Sequence, residues 1–147
     1  MDRNSYLIAL SAREHTDFGR VDFGDQSLEQ RVFSAVWAVD GAVHMDGFAS
    51  YFRGYDGESA SFAPEALERI GAFRAASIVR RAASIVSDEP LPADQHARER
   101  LVSALDDAQL QELDALDGEF YSRPDDITKM LFVFVAARPE LFGEIGE

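Results

Sequence analysis

The sequence predicts an all-α fold: a compact single-domain bundle of about six to eight helices. Three observations carry that prediction. Apolar residues recur at helical spacing along most of the chain, and nothing alternates convincingly at period two. Two segments open with capping-box patterns. Proline and glycine punctuate the ends of several periodic stretches.

Residues 4–14 fit a short amphipathic helix. A loop follows with a near-repeat, Asp17-Phe18-Gly19 and Asp22-Phe23-Gly24. Ser27-Leu28-Glu29-Gln30 reads as a capping box, with Ser27 as N-cap and Gln30 reaching back. Leu28, Val32, Val36, Val39 and Val43 then recur at helical spacing, widened by Phe33 and Trp37, so a helix is predicted over 27–44. Asp46-Gly47 breaks it. A short aromatic helix over 48–53 ends near Gly54, and 55–61 is a polar loop.

Pro64 suits a first helical turn, with Glu65 favourable beside it. That helix runs to about residue 70, where Gly71 is the C-terminal stop. Residues 73–79 (Phe-Arg-Ala-Ala-Ser-Ile-Val) are echoed by 80–86 (Arg-Arg-Ala-Ala-Ser-Ile-Val). The echo puts Ile78 with Ile85, and Ala75 with Ala82, on common faces where a neighbouring helix packs closely. The 88–93 segment, with Pro90 and Pro92, is a loop too short to divide two domains. Helices are predicted over 94–105 and 107–121. Pro124 opens another, continuing through 127–137, whose all-round apolarity suits a central buried helix; its Val and Phe content also permits a strand. Pro139 ends it.

A chain of 147 residues is one domain by size and buries roughly two thirds of its unfolded surface. Without cysteine there are no disulfides, thiolate zinc sites or cysteine nucleophiles. The apolar run 6–10 is too short for a signal peptide, and none approaches the roughly eighteen residues of a membrane span. A soluble cytoplasmic protein is expected.

Twenty-seven acids face fourteen bases, and the net charge of −13 is unevenly spread. Asp106, Asp107, Glu112, Asp114, Asp117, Glu119, Asp125 and Asp126 stand against Arg123 alone, which puts −7 between residues 106 and 126. Such a field repels nucleic acid and membranes and attracts basic proteins. Some of these acids have a local use. Asp106 with Gln109 forms a second capping box, Asp107 lies in that helix's first turn, and Asp125 and Asp126 occupy the turn after Pro124. Glu112, Asp114, Asp117 and Glu119 are not caps in this reading. About the apolar face of Leu110, Leu113, Leu116 and Phe120, Glu112 and Glu119 share one flank, and Asp107 and Asp114 the other. Each pair spans about 10 Å along the axis. Two carboxylate rows imitate groove phosphates, or form a solvated face, or pair with the acid-free arginines Arg69, Arg74, Arg80 and Arg81.

Catalytic and cofactor signatures are missing. His15, His44 and His96 have no metal-ligand spacing, and no phosphate-binding glycine loop occurs. The two Asp-Phe-Gly triplets lack every other kinase element. Asp40 and His44 are the only pairing that suggests a small hydrolase or isomerase, and a hydrogen-bonded structural acid is the plainer reading. No cofactor, metal or catalytic residue is expected.

The stretch Asp46-Gly47-Phe48-Ala49-Ser50-Tyr51-Phe52 resembles the Asn-Gly-Gly-Phe-x-Gln-Tyr-Phe motif of the DNA-mimic-protein (DMP-type) domain family. Glu65 to Ala72, including Gly71, resembles its Ala-Leu-x-x-Ile-Gly-Ala segment, and Leu113 to Tyr121 its late acidic helix. The resemblance spans roughly 28–142. Gly47, Phe48, Tyr51 and Phe52 are retained and read as structural, whereas Met45, Asp46 and Ser50 replace the motif's Asn, Gly and Gln. The resemblance implies an acidic, dimeric, all-α protein whose carboxylates occupy the basic site of a DNA-binding regulator. Asp107, Glu112, Asp114, Asp117 and Glu119 are the partner-binding candidates. The alternative is a structural or immunity-like module binding through 48–55 or the arginine-bearing helix.

Overall fold

Ser27 opens the longest helix in the way its neighbours predict. Its Oγ accepts from the Gln30 amide at 3.3 Å, and Gln30 Oε1 accepts from the Ser27 amide at 3.0 Å. The computed structural model describes residues 5–8 and 23–142. The rest of the 4–14 segment and the first Asp-Phe-Gly triplet lie outside the described residues.

Among the described residues there are eight helices and no strand, so the all-α prediction holds. They are α1 (residues 5–8), α2 (Leu28–Arg53), α3 (Ala63–Arg69), α4 (Phe73–Val86), α5 (Gln95–Ser103), α6 (Asp107–Tyr121), α7 (Ile127–Ala136) and α8 (Pro139–Phe142). Short 3-10 turns stand at Phe23–Asp25 and Tyr55–Ser59. The second replaces part of the expected polar loop.

The central helix is α2. Its Val32, Val36, Val39 and Val43 stripe is buried, and α3, α5, α6, α7 and α8 all pack against it. Each large apolar side chain so buried contributes roughly 1.5–3 kcal/mol. The sequence assigned the central place to 127–137, and that is corrected. α7 buries Ile127, Leu131, Phe134 and Val135 but leaves Val133 56% exposed. A helix of 10 residues covers one side of a core, whereas 26 residues thread through it.

The expected break in α2 is real. Gly47 has φ 88° and ψ 176°, a conformation open essentially to glycine alone, and the chain resumes as helix over 48–53. α3 carries Pro64 in its first turn and ends in a Schellman motif: Ala72 donates to the Leu67 carbonyl, Gly71 to that of Glu68, and Gly71 has φ 88°. In α4 the seven-residue echo serves packing, with Ala75, Ile78 and Ala82 buried and Ile85 partly so. α7 starts at Ile127, with Asp126 as its cap, so Pro124 and Asp125 precede the helix and do not form its first turn. Pro139 begins α8 as well as ending α7.

α5 contributes the least expected interior group. Arg98 is 1% exposed. Its Nη1 donates to the carbonyls of Phe52 and Gly54, both at 2.7 Å, and its Nη2 to that of Ala93 at 3.3 Å. The guanidinium therefore caps the C-terminus of α2, where carbonyls lack helical partners. Burial alone works against its charge, and the nearby Tyr51 hydroxyl, Glu58, Asp94 and Glu99 favour it. Gly57 is required beside it, because a Cβ there would run into Arg98 Nη1 and the Tyr51 carbonyl.

Candidate functional site

The acidic segment divides into carboxylates that the fold uses and carboxylates that it does not. Asp106 caps α6, its Oδ1 accepting from the Gln109 amide at 2.8 Å within a complete capping box. Asp126 caps α7, accepting from the Lys129 amide at 3.2 Å. Asp125 reaches across to α4, which has no side-chain cap of its own, and accepts from the Ala75 amide at 2.9 Å. Asp117 accepts from the Phe48 amide at 2.8 Å, capping the second half of α2 just after Gly47.

Asp117 was expected on the partner-binding face, and instead its carboxylate is bound to the fold. Burial pushes its carboxyl above the usual range; the Phe48 hydrogen bond opposes this and Asp114 adds to it. Glu119 was expected there too, and it is already paired. Its two oxygens accept from Arg81 at 2.9 and 3.4 Å. Of the other acid-free arginines, Arg69 pairs with Glu65 and Arg80 with Glu68, both acids from α3. Such exposed pairs contribute only about 0–1 kcal/mol each.

Asp107, Glu112 and Asp114 remain exposed, with no hydrogen bond or ion pair to any described residue. Asp107 and Asp114 share one flank of α6, in line with Tyr121, which packs on His44 of α2. Glu112 lies on the flank toward α4, lining a cleft with Arg81, Ile85 and Glu119. Leu110 was expected on the apolar face but is 37% exposed, while Leu113, Leu116 and Phe120 are buried.

The fold adds a carboxylate that sequence reasoning missed. Partial loss of solvent where the ring packs on His44, followed by the charges of Asp117, Asp46 and Asp114, raises the Tyr121 phenol. Asp46 therefore belongs to the same negative field as the α6 acids, although 68 residues separate it from Asp114. Met45 beside it is exposed, as is Tyr121. In the sequence Asp46 stood out as a helix breaker and as a departure from the family motif, not as part of the acidic surface, since nothing local reveals that the bend of α2 meets the end of α6.

The retained motif residues are interior. Phe48 stacks on Phe52 at 5.8 Å and meets Phe120 edge-on at 5.6 Å. Tyr51 is fully buried, and its hydroxyl is pushed strongly upward by burial despite Arg98 nearby. These side chains are therefore unavailable as contacts for an interaction module. Asp40 and His44 form a seam between α2 and α6. His44 Nδ1 is 2.7 Å from the Asp40 carbonyl and 3.1 Å from its Oδ1, and the ring packs on Phe120 and Tyr121. Burial raises Asp40, while His44 and Arg123 lower it. Neither residue lines the α4–α6 cleft or the one between the 87–92 loop and α5. Among the described residues no three His, Asp or Glu side chains gather as metal ligands would. No described helix is long and apolar enough to cross a membrane.

Helical packing, carboxylate caps and an uncompensated acidic flank define the class: an acidic all-α domain. The sequence profile of the DMP19-like protein family matches residues 24–138, and the chain belongs to that family. No curated protein and no solved structure matches it.

Proposed function

We propose that this protein is a non-enzymatic binding domain whose free carboxylates take the place of DNA phosphates in the basic site of a DNA-binding protein. One observation supports this most directly: Asp107, Glu112 and Asp114 project from α6 with no described partner, after the fold has used the other acids of the segment. Membership of the DMP19-like family points the same way. Asp107 and Asp114 lie about 10 Å apart along the axis. Asp46 acts on the same Tyr121 hydroxyl as Asp114 and adds to the negative charge there. The contact is protein to protein, because a surface of this charge repels nucleic acid.

The test is competition. Purified repressor-type DNA-binding domains are titrated with the protein at low and high salt, with and without duplex DNA. Binding is expected to weaken with salt, as phosphate contacts do, and duplex DNA is expected to displace the protein. Changing Glu112 and Asp114 together to Lys should abolish binding without lowering the melting temperature, and Asp107 is left in place because it stabilises the first turn of α6. A failure to bind any basic domain at either salt would refute the reading.

A further inference from the structure

A shallow groove of about 360 Å³, open to solvent, runs between α4 and α6. Ile85, Ala115 and Leu116 give it an apolar floor, and Glu112 and Glu119 stand on one side, two helical turns apart. Arg81 already shows what chemistry the cleft accepts. It reaches across from α4 and sets its guanidinium against both oxygens of Glu119, at 2.9 and 3.4 Å. Glu112 keeps no described partner. We infer that this cleft seats an arginine side chain of the basic partner, its stem on the apolar floor and its guanidinium on Glu112 and Glu119.

The inference rests on the acidic-surface reading above and names the partner group that would enter. Long cationic side chains lay their stems along apolar surface and keep the head on charge. The planar guanidinium fork matches a carboxylate in two places, which an ammonium does not. Arg81 and Glu119 are 52% and 50% exposed. A pair that open contributes little, so an incoming guanidinium displaces Arg81 at small cost. Arg81 is then a competitor held in place by the fold, screening one carboxylate until a partner arrives.

The experiment is a chemical-shift titration of the isotope-labelled full chain at low salt with hexa-arginine, and with hexa-lysine for comparison. The largest shifts are expected at Ile85, Glu112 and Ala115, and hexa-arginine should bind more tightly. Glu112→Gln should weaken binding roughly fivefold, the loss of one exposed charge pair. Arg81→Gln frees Glu119 and should strengthen binding by a similar factor. Shifts confined to the Asp46, Asp107 and Asp114 flank overturn the cleft assignment and leave the acidic-surface reading standing. An absence of shifts anywhere overturns both. Equal binding of the two peptides, or weaker binding by Arg81→Gln, overturns the assignment to arginine. Shifts at these residues produced by raising the protein concentration alone identify a second copy as the occupant and overturn it as well.

Discussion

The Asp117 carboxylate accepts the Phe48 amide at 2.8 Å, joining residues 69 positions apart. The bond closes the gap left where Gly47 interrupts α2, and it ties the end of the acidic helix to the aromatic centre of the core. Asp117→Ala removes a cap and should cost about 1 kcal/mol of unfolding free energy. Asp117→Asn keeps an acceptor oxygen without the charge that burial disfavours. Chemical denaturation at pH 7 should find the Asn variant at least as stable as the parent, and the Ala variant less stable.

Gly47→Ala should be worse. A Cβ at Gly47 would lie 2.5 Å from Asp117 Oδ2, and φ 88° with ψ 176° is closed to side chains. Strain of this kind costs about 1–3 kcal/mol, and displacing Asp117 adds the loss of its cap. The double variant Gly47→Ala, Asp117→Ala should fall short of the sum of the single losses, measured by the same denaturation.

Stability should rise as neutral solution is acidified. Asp40 and Asp117 both have folded-state values above the ordinary 3.8. Between 3.8 and those raised values the folded state binds more protons than the unfolded one, so stability falls as pH rises through them. Relief of the −13 net charge acts in the same direction. Denaturation midpoints should therefore increase from pH 7 toward the upper carboxylate range. The Asp117→Asn variant should show a shallower increase.

Arg98 holds the end of α2 to the start of α5 through three carbonyls. Hydrogen bonds from a charged donor contribute about 1.5–3 kcal/mol each, and buried carbonyls left without donors carry a further penalty. Arg98→Ala should lose about 3 kcal/mol or more. Arg98→Lys should recover only part of this, because one ammonium cannot reproduce the spread of the fork.

Acids used as caps and acids left free should separate in experiment. Asp125→Asn should lower the melting temperature slightly, through the N-terminus of α4, and leave partner affinity unchanged. Asp46→Asn and Asp114→Asn should do the reverse. Calorimetric titration against a basic partner, beside thermal unfolding, distinguishes the two groups.

Local features of the fold were legible in the chain. The Ser27/Gln30 and Asp106/Gln109 boxes each lie within four residues and closed as their spacing implied. Gly47 and Gly71 fell at the interruptions their backbone freedom suits. The error over 127–137 arose because apolarity reports that a segment is buried somewhere, not which helix occupies the centre. Arg98 was overlooked because nothing nearby in sequence marks an arginine whose partners are carbonyls 44 and 46 residues away.

The sequence by itself determined the helical class, most helix ends and a strong local excess of carboxylate, because periodicity, caps and charge act over a few residues. Only the tertiary structure decided which carboxylates stay free. Asp117, Asp125 and Glu119 find donors 69, 50 and 38 residues away, whereas Asp107, Glu112 and Asp114 find none among the described residues. A carboxylate accepts from whichever donor packing brings within about 3 Å. That proximity is set by helices crossing in space, so acids alike in the chain came to differ in the fold.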